Sequence, residues 1–214
     1  MLSQEGGPVD RIMGNADAAW AGLEDAVGIM GTLLKNRRAG ETGLAWNRPA
    51  LAGPETLTVT SPAFTDGAAI PAEHAAKRIG GRETSPPLDW TPAPDGAAEL
   101  LFVMEDADVP MGKPLVHSIA LIAPSVEGLP AGALDIAAVP AGVTLLRPSF
   151  GRGYLGPAPI KGHGPHRYVF QLFALGGPAA ADAAAASRAN PRVVLAGVSS
   201  RVLARGRLTG TYER

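Results

Sequence analysis

Four stretches of the sequence concentrate side chains able to move protons or bind anions. The first is Glu105-Asp106-Ala107-Asp108-Val109-Pro110, a run of acids directly after the apolar residues 100–104. Loops at strand ends commonly carry function, although an Asp before a Pro equally starts a turn. The second is His117, inside the apolar run 115–122. Strand alternation puts Leu115, His117, Ile119 and Leu121 on one face, so His117 is either a hydrogen-bonded core residue or a ligand contact. The third is His166-Arg167-Tyr168, where His166 and Tyr168 share a face and Arg167 points the other way, into a salt bridge or water. The fourth is the Pro/Gly loop 156–165, whose backbone N–H groups could cradle an anion or simply cross the surface. His163 and His74 are expected in exposed loops and are assigned no role. Imidazole N–H and phenol O–H groups donate to oxyanions, and a carboxylate beside a His fixes its tautomer and favours its charged form. The same Asp and two His also suit acid–base chemistry or a two-His, one-carboxylate metal site. No Cys is present, no Ser sits in a nucleophile-elbow pattern, and no His-x-x-x-His pair supports a metal.

These groups need strands to hold them. Residues 57–60 alternate as a strand, 61–76 are turn-rich, and 84–90 are extended because each residue before a Pro avoids the helical region. The runs 100–104, 115–122 and 168–175 read as buried strands, the last rich in β-favouring residues, and 208–212 as a closing strand. Short strands between Pro/Gly loops predict an all-β sandwich or barrel. Helices are expected at 179–189 and, from the spacing of Val194, Leu195, Val198, Val202 and Leu203, over 192–204, with Gly206 as the stop. At the other end, Ala16, Trp20, Leu23, Val27, Met30 and Leu34 form one stripe of a helix over 12–36. Asp10 or Asn15 caps it, Arg37 and Arg38 suit its C-terminal end, and Gly40 stops it. The stripe docks on the chain's own core, on a second copy or on a membrane surface, the last disfavoured by Asp17, Glu24 and Asp25 on the polar face, and the expectation adopted is a homodimer. A polar link, 41–54, joins this segment (1–54) to the main domain (55–214).

The chain has 214 residues with 27 Gly, 20 Pro, 46% hydrophobic residues, a formal charge of -1 and no Cys. So much turn chemistry argues against a helical bundle, and the apolar content against disorder. The balanced charge offers no general field for nucleic acid, and the missing cysteines exclude disulfides and thiolate sites. The start lacks a basic, then apolar, leader, and no run of ~18 apolar residues appears. These features predict no membrane span and a cytoplasmic protein.

Taken in order, six elements resemble the phosphatidylethanolamine-binding protein family, in its bacterial Raf-kinase-inhibitor-like branch. They are Ser61-Pro62-Ala63-Phe64 with Asp66-Gly67 and Ile70-Pro71; Ser85-Pro86-Pro87-Leu88 with Trp90; Asp106-Ala107-Asp108-Val109-Pro110; the strand His117; Gly164-Pro165-His166-Arg167-Tyr168; and Leu208-Thr209-Gly210-Thr211-Tyr212. The match runs from about residue 57 to the last residue of the sequence. It implies a mainly β protein, a Greek-key antiparallel β-sandwich with a few peripheral helices, to which the N-terminal helix is an addition. It also implies a small pocket for phosphate or a phospholipid headgroup, lined by Asp106, His117, His166 and Tyr168, with Val109, Pro110, Ala158 and Pro159 as walls. The function so implied is non-enzymatic binding or regulation that requires no cofactor or metal, with a protein partner as a further ligand. The alternative is a hydrolase or isomerase using Asp106, His117 and His166. Ala107, Val109, Val116 and Ser118 depart from the family's usual residues and imply a changed rim.

Overall fold

Eight strands among the described residues form two antiparallel sheets. A computed structural model of the chain describes residues 28–214. The smaller sheet has the order β1-β2-β5, from β1 (Val59–Thr60), β2 (Leu88–Trp90) and β5 (Gly128–Leu129). The larger has the order β6-β4-β3-β7-β8, from β3 (Glu99–Asp106), β4 (Leu115–Ile122), β6 (Val143–Leu145), β7 (His166–Leu175) and β8 (Val202–Tyr212).

The central strands are largely apolar because both faces of the larger sheet are covered. Leu100, Phe102, Met104, Phe170 and Leu172 pack against Val59, Phe64, Leu88 and Trp90 of the smaller-sheet layer. Leu101, Val103, Ile119, Val169 and Phe173 pack the other way, against Leu44, Trp46, Leu51, Val194 and Leu195. The expected polar link therefore contributes core. Residues 41–51 form three short 3-10 turns, and Arg205 stacks on Trp46 with 3.9 Å between its guanidinium carbon and the ring centre.

Two C-terminal helical expectations shorten. α2 (Ala183–Ala186) is capped by the Asp182 carboxylate, which accepts from the Ala184 and Ala185 N–H groups. α3 (Pro191–Gly197) starts at the Asn190 cap and ends well before 204. Val202 and Leu203 belong instead to β8, which pairs with β7 from Tyr212 back to Val202. Gly206 is not a helix stop: it lies within β8, where a Cβ would collide with the Leu57 carbonyl. Helical spacing misleads here because buried Val202 sits where a sheet strand and a helix stripe want the same apolar residue.

At the N-terminal end, helix α1 occupies 28–34 and stops two residues earlier than expected. Ala16, Trp20, Leu23 and Val27 of the predicted stripe lie outside the described residues. Met30 is exposed and Leu34 half-buried. Gly31 lets α1 lie directly on the backbone of Lys161 and His163, where any Cβ would clash. The chain then runs as a strap: Ala39 N–H donates to Val109 C=O at 2.9 Å, and Gly40 N–H to Ala107 C=O at 2.8 Å.

Candidate functional site

Strand direction assembles the site. β3 runs antiparallel to both β4 and β7, so its last residue lies beside their beginnings: Asp106 pairs with Leu115 on one side and Tyr168 on the other. The ladder also slips here. Met104 opposes Ser118 and Glu105 opposes Val116, which leaves His117 as the extra residue of a β-bulge. A bulge re-aims side chains, so the simple alternation fails. Leu115 and His117 face the pocket, whereas Ile119 and Leu121 pack into the opposite core layer. Of the neighbouring acids, Glu105 also points to that opposite layer, ion-paired to Arg192 at 2.6 Å.

All eight residues singled out in the sequence meet around one cavity of about 450 Å³: Asp106, Val109, Pro110, His117, Ala158, Pro159, His166 and Tyr168. The structure adds Arg78, Met111, Leu115, Phe150, Leu155, Gly156 and Ile160 to its walls. Met111 and Phe150 are exposed and supply an apolar rim. Gly156 is required by close approach, since a Cβ there would sit 2.5 Å from Ala76 N.

His117 is pinned by two hydrogen bonds. Its Nδ1 lies 2.7 Å from the Leu155 carbonyl, so that nitrogen carries the proton and donates. Leu155 N–H returns a bond to the His117 carbonyl at 3.0 Å. His117 Nε2 and Tyr168 Oη are then buried with no hydrogen-bond partner among the described residues. Their rings meet edge to face, 5.2 Å apart. Burial, helped by the neighbouring His166 and Arg78, holds His117 below its usual 6.5, against the opposing pull of Asp106 and the Leu155 bond. Burial and the Asp106 charge push the Tyr168 hydroxyl well above 10.0. The free protein near neutral pH thus presents a neutral imidazole acceptor and an intact phenol.

His166 is fully engaged. Its Nδ1 lies 2.8 Å from Asp106 Oδ2, and its Nε2 lies 2.7 Å from His163 Nδ1. Asp106 Oδ1 accepts from Asp108 N–H at 2.8 Å. His163 is not the exposed loop residue expected. It is completely buried, because residues 34–37 cover it, and its Nε2 faces the carbonyls of Leu34 at 2.9 Å and Arg37 at 3.2 Å. His74 is buried too, with Nδ1 against Thr84 C=O at 2.8 Å. Its loop folds under the 156–157 turn, and Ala76 N–H bonds Pro157 C=O at 3.0 Å. One sequence hint to His163 is its position three residues before His166.

The loop after β3 is locked by Asp108. Its carboxylate takes Arg167 at 2.8 and 2.9 Å and Arg38 at 3.2 Å. Burial raises this carboxyl, but the bonds and charges of Arg167 and Arg38 outweigh it and hold it at about 2 rather than 3.8. Arg167 does point away from the cavity, into this ion pair.

The family model for phosphatidylethanolamine-binding protein matches residues 60–213. The chain belongs to the phosphatidylethanolamine-binding protein family. Among relatives of that family, the Mycobacterium tuberculosis protein LppC, whose name proposes a lipoprotein, is 38% identical over 165 residues, covering 74% of this chain and 73% of LppC. A protein of unnamed activity from Aquifex aeolicus is 31% identical over 169 residues, 76% of this chain and 92% of its own. The crystal structure of Escherichia coli YbcL, described as a member of the mammalian PEBP family, superposes with a TM-score of 0.65 at 29% identity, covering 74% of this chain and 98% of YbcL. The homologue CT736 from Chlamydia trachomatis superposes with a TM-score of 0.60 at 26% identity, covering 74% and 97%.

In this phosphatidylethanolamine-binding-protein fold, the pocket offers one imidazole acceptor, one phenol and the nearby Arg78 to a ligand. His166 has no nitrogen left over for a direct contact. Among the described residues, no three His, Asp or Glu side chains are placed to hold a metal ion. No helix among them is long and apolar enough to cross a membrane.

Proposed function

We propose that this protein is a binding or regulatory protein whose pocket takes a small oxyanion, phosphate or a phosphomonoester headgroup. The observation that carries the reading is the pair of buried, unpartnered polar atoms, His117 Nε2 and Tyr168 Oη, at the wall of one cavity. A buried polar atom left unmade costs about 1–3 kcal/mol, a cost that a ligand would relieve.

The chemistry supports an anion that still carries a proton. Neutral His117 accepts from a P–O–H group, and Tyr168 donates to a second oxygen. Arg78, whose guanidinium donates to Ala158 C=O at 3.3 Å, brings positive charge to the cavity wall. Asp106 is engaged by His166, whose Nδ1 lies 2.8 Å from its Oδ2. The exposed Met111 and Phe150 suit the carbon portion of a headgroup. A phosphorylated side chain on a protein partner carries the same group. Calorimetric titration at pH 6 with phosphate, phosphoethanolamine and phosphoserine tests the reading. Saturable binding at one site, weakened in Tyr168→Phe, is expected. No heat from any of the three would remove it. The homodimer expectation is a separate proposal. It rests on the exposed Ile29, Met30 and Leu33 of α1, and light scattering of the full chain and of Leu33→Lys tests it: a monomeric mass for the wild type ends it.

A further inference from the structure

His163 uses both ring nitrogens, yet it lies behind the pocket and touches none of its space. Its contacts form a chain: Asp106 carboxylate, His166, His163, then the carbonyls of Leu34 and Arg37 on the strap. The chain contains three links, at 2.8, 2.7 and 2.9 Å, and each needs one proton. A carbonyl can only accept, so His163 must carry its proton on Nε2. A neutral His163 then has a bare Nδ1, which accepts from His166 Nε2–H. His166 Nδ1 meanwhile faces a carboxylate, which also accepts. With two neutral imidazoles and an ionised Asp106 there are only two protons for three links. Two acceptors would face each other in a buried site, the costly arrangement. One further proton completes the chain, and an imidazole is a stronger base than a carboxylate.

We propose that His163 and the backbone carbonyls of residues 34–37 act as positioning groups that hold His166 doubly protonated and so cancel the charge of Asp106 at the pocket. Without this anchoring the Asp106–His166 unit would carry one net negative charge beside the ligand. The N-terminal strap thereby sets the electrostatics of a pocket formed by other elements. Gly31 lies on the loop backbone at Lys161 and His163, and Arg38 donates to Pro165 C=O at 2.8 Å and His163 C=O at 3.2 Å. Other charged or titratable groups surround the chain: Tyr168 stacks on His166 with ring centres 6.5 Å apart, and Tyr212 is the strand partner of His166 on β8. Asp108 is taken by Arg38 and Arg167, Arg167 also meets Glu41, and His117 and Arg78 stand on the pocket side. That an anion benefits rests on the function proposed above; the proton assignment does not.

The test is ring ¹⁵N NMR of the full chain at pH 7 with His163→Phe and His163→Gln, followed by phosphate titration. Expected in the wild type are two protonated nitrogens on His166 and one, Nε2, on His163. In His163→Phe the acceptor is gone, and His166 keeps a single proton on Nδ1. In His163→Gln the amide restores one acceptor and one donor, and His166 is doubly protonated again. Phosphate binds His163→Phe about tenfold more weakly than His163→Gln, as an uncancelled charge near the ligand requires. A singly protonated His166 in the wild type, or a doubly protonated one in His163→Phe, overturns the proposal. Should the Phe variant not fold, His163→Leu removes the same acceptor, and a doubly protonated His166 in it overturns the proposal. The expected proton pattern with no phosphate binding in any protein would remove the anion reading and leave the assignment of His163 standing.

Discussion

Changing pH from 6 to 8 probes the shared proton that the pocket chemistry demands. Burial holds His117 below 6.5, so in the free protein at pH 7 it is neutral, with its proton on Nδ1 and donated to Leu155. An oxyanion can bond to Nε2 only if a proton lies between them. That proton comes either from the ligand as a monoanion or from solvent, and the count is the same. The complex therefore holds one proton more than free protein plus dianion, and affinity must fall as pH rises. A phosphomonoester loses its second proton near pH ~6; about half is monoanion there, and about one part in a hundred at pH 8. Binding should weaken roughly 50-fold over this range, about 2.3 kcal/mol at ~1.4 kcal/mol per tenfold. Calorimetry of phosphoethanolamine in two buffers of different ionisation heat measures both quantities, affinity and proton uptake. Uptake close to one proton per site is expected at pH 8. His117→Gln supplies an amide N–H that needs no added proton, so its affinity should vary by less than about threefold. A flat wild-type affinity, or zero proton uptake, would refute the reasoning.

Other perturbations follow from the same contacts. Tyr168→Phe removes a buried hydroxyl that bonds to nothing among the described residues. It should leave the denaturation midpoint unchanged or raised while weakening phosphoethanolamine about 10-fold, the worth of one bond to a charged group. Arg167→Gln takes away the larger partner of buried Asp108 but leaves Arg38, and chemical denaturation should show a loss of about 2 kcal/mol. Asp108, held at about 2 against 3.8, contributes stability that is complete above pH 3.8 and lost as pH falls towards 2. In Arg167→Gln the acid-unfolding midpoint should move to higher pH. His117 contributes with the same sign in a higher window: its folded form resists the proton that the unfolded chain takes up below 6.5, so acid costs stability. His117→Gln should reduce the slope of stability against pH below 6.5 by up to ~1.4 kcal/mol per unit. Gly156→Ala places a Cβ 2.5 Å from Ala76 N; the strain should cost about 1–3 kcal/mol and disturb the pocket wall.

What the sequence reveals here depends on the range over which each residue acts. Leu100–Met104 is legible because burial on both faces demands an unbroken apolar run, visible within a few residues, and 168–175 because only Gln171 interrupts a run of apolar and aromatic residues. The grouping of Asp106, His117, His166 and Tyr168 is legible only through the ordered resemblance, since nothing local to His117 says which strand end it meets. Its orientation is not legible at all. Val116 and Ile119 are both apolar and both buried, so the pattern is silent about the bulge that turns His117 into the cavity. The end of α3 is lost for a related reason: Val202 satisfies a helix stripe and a strand equally, and its pairing with Leu175 of β7 decides. His163 fails for a third reason. Its partners Leu34 and Arg37 lie 129 and 126 residues away, and they engage it through backbone carbonyls, which every residue type carries. A contact made by backbone leaves no mark on the partner's side-chain identity, so only the glycines that permit the approach, Gly31 and Gly162, record it in sequence. Gly31 therefore reads as a docking residue of the strap and not as a weak point in a helix. Gly31→Val should free the strap, and with it change the ring ¹⁵N pattern of His166, although Gly31 does not line the pocket.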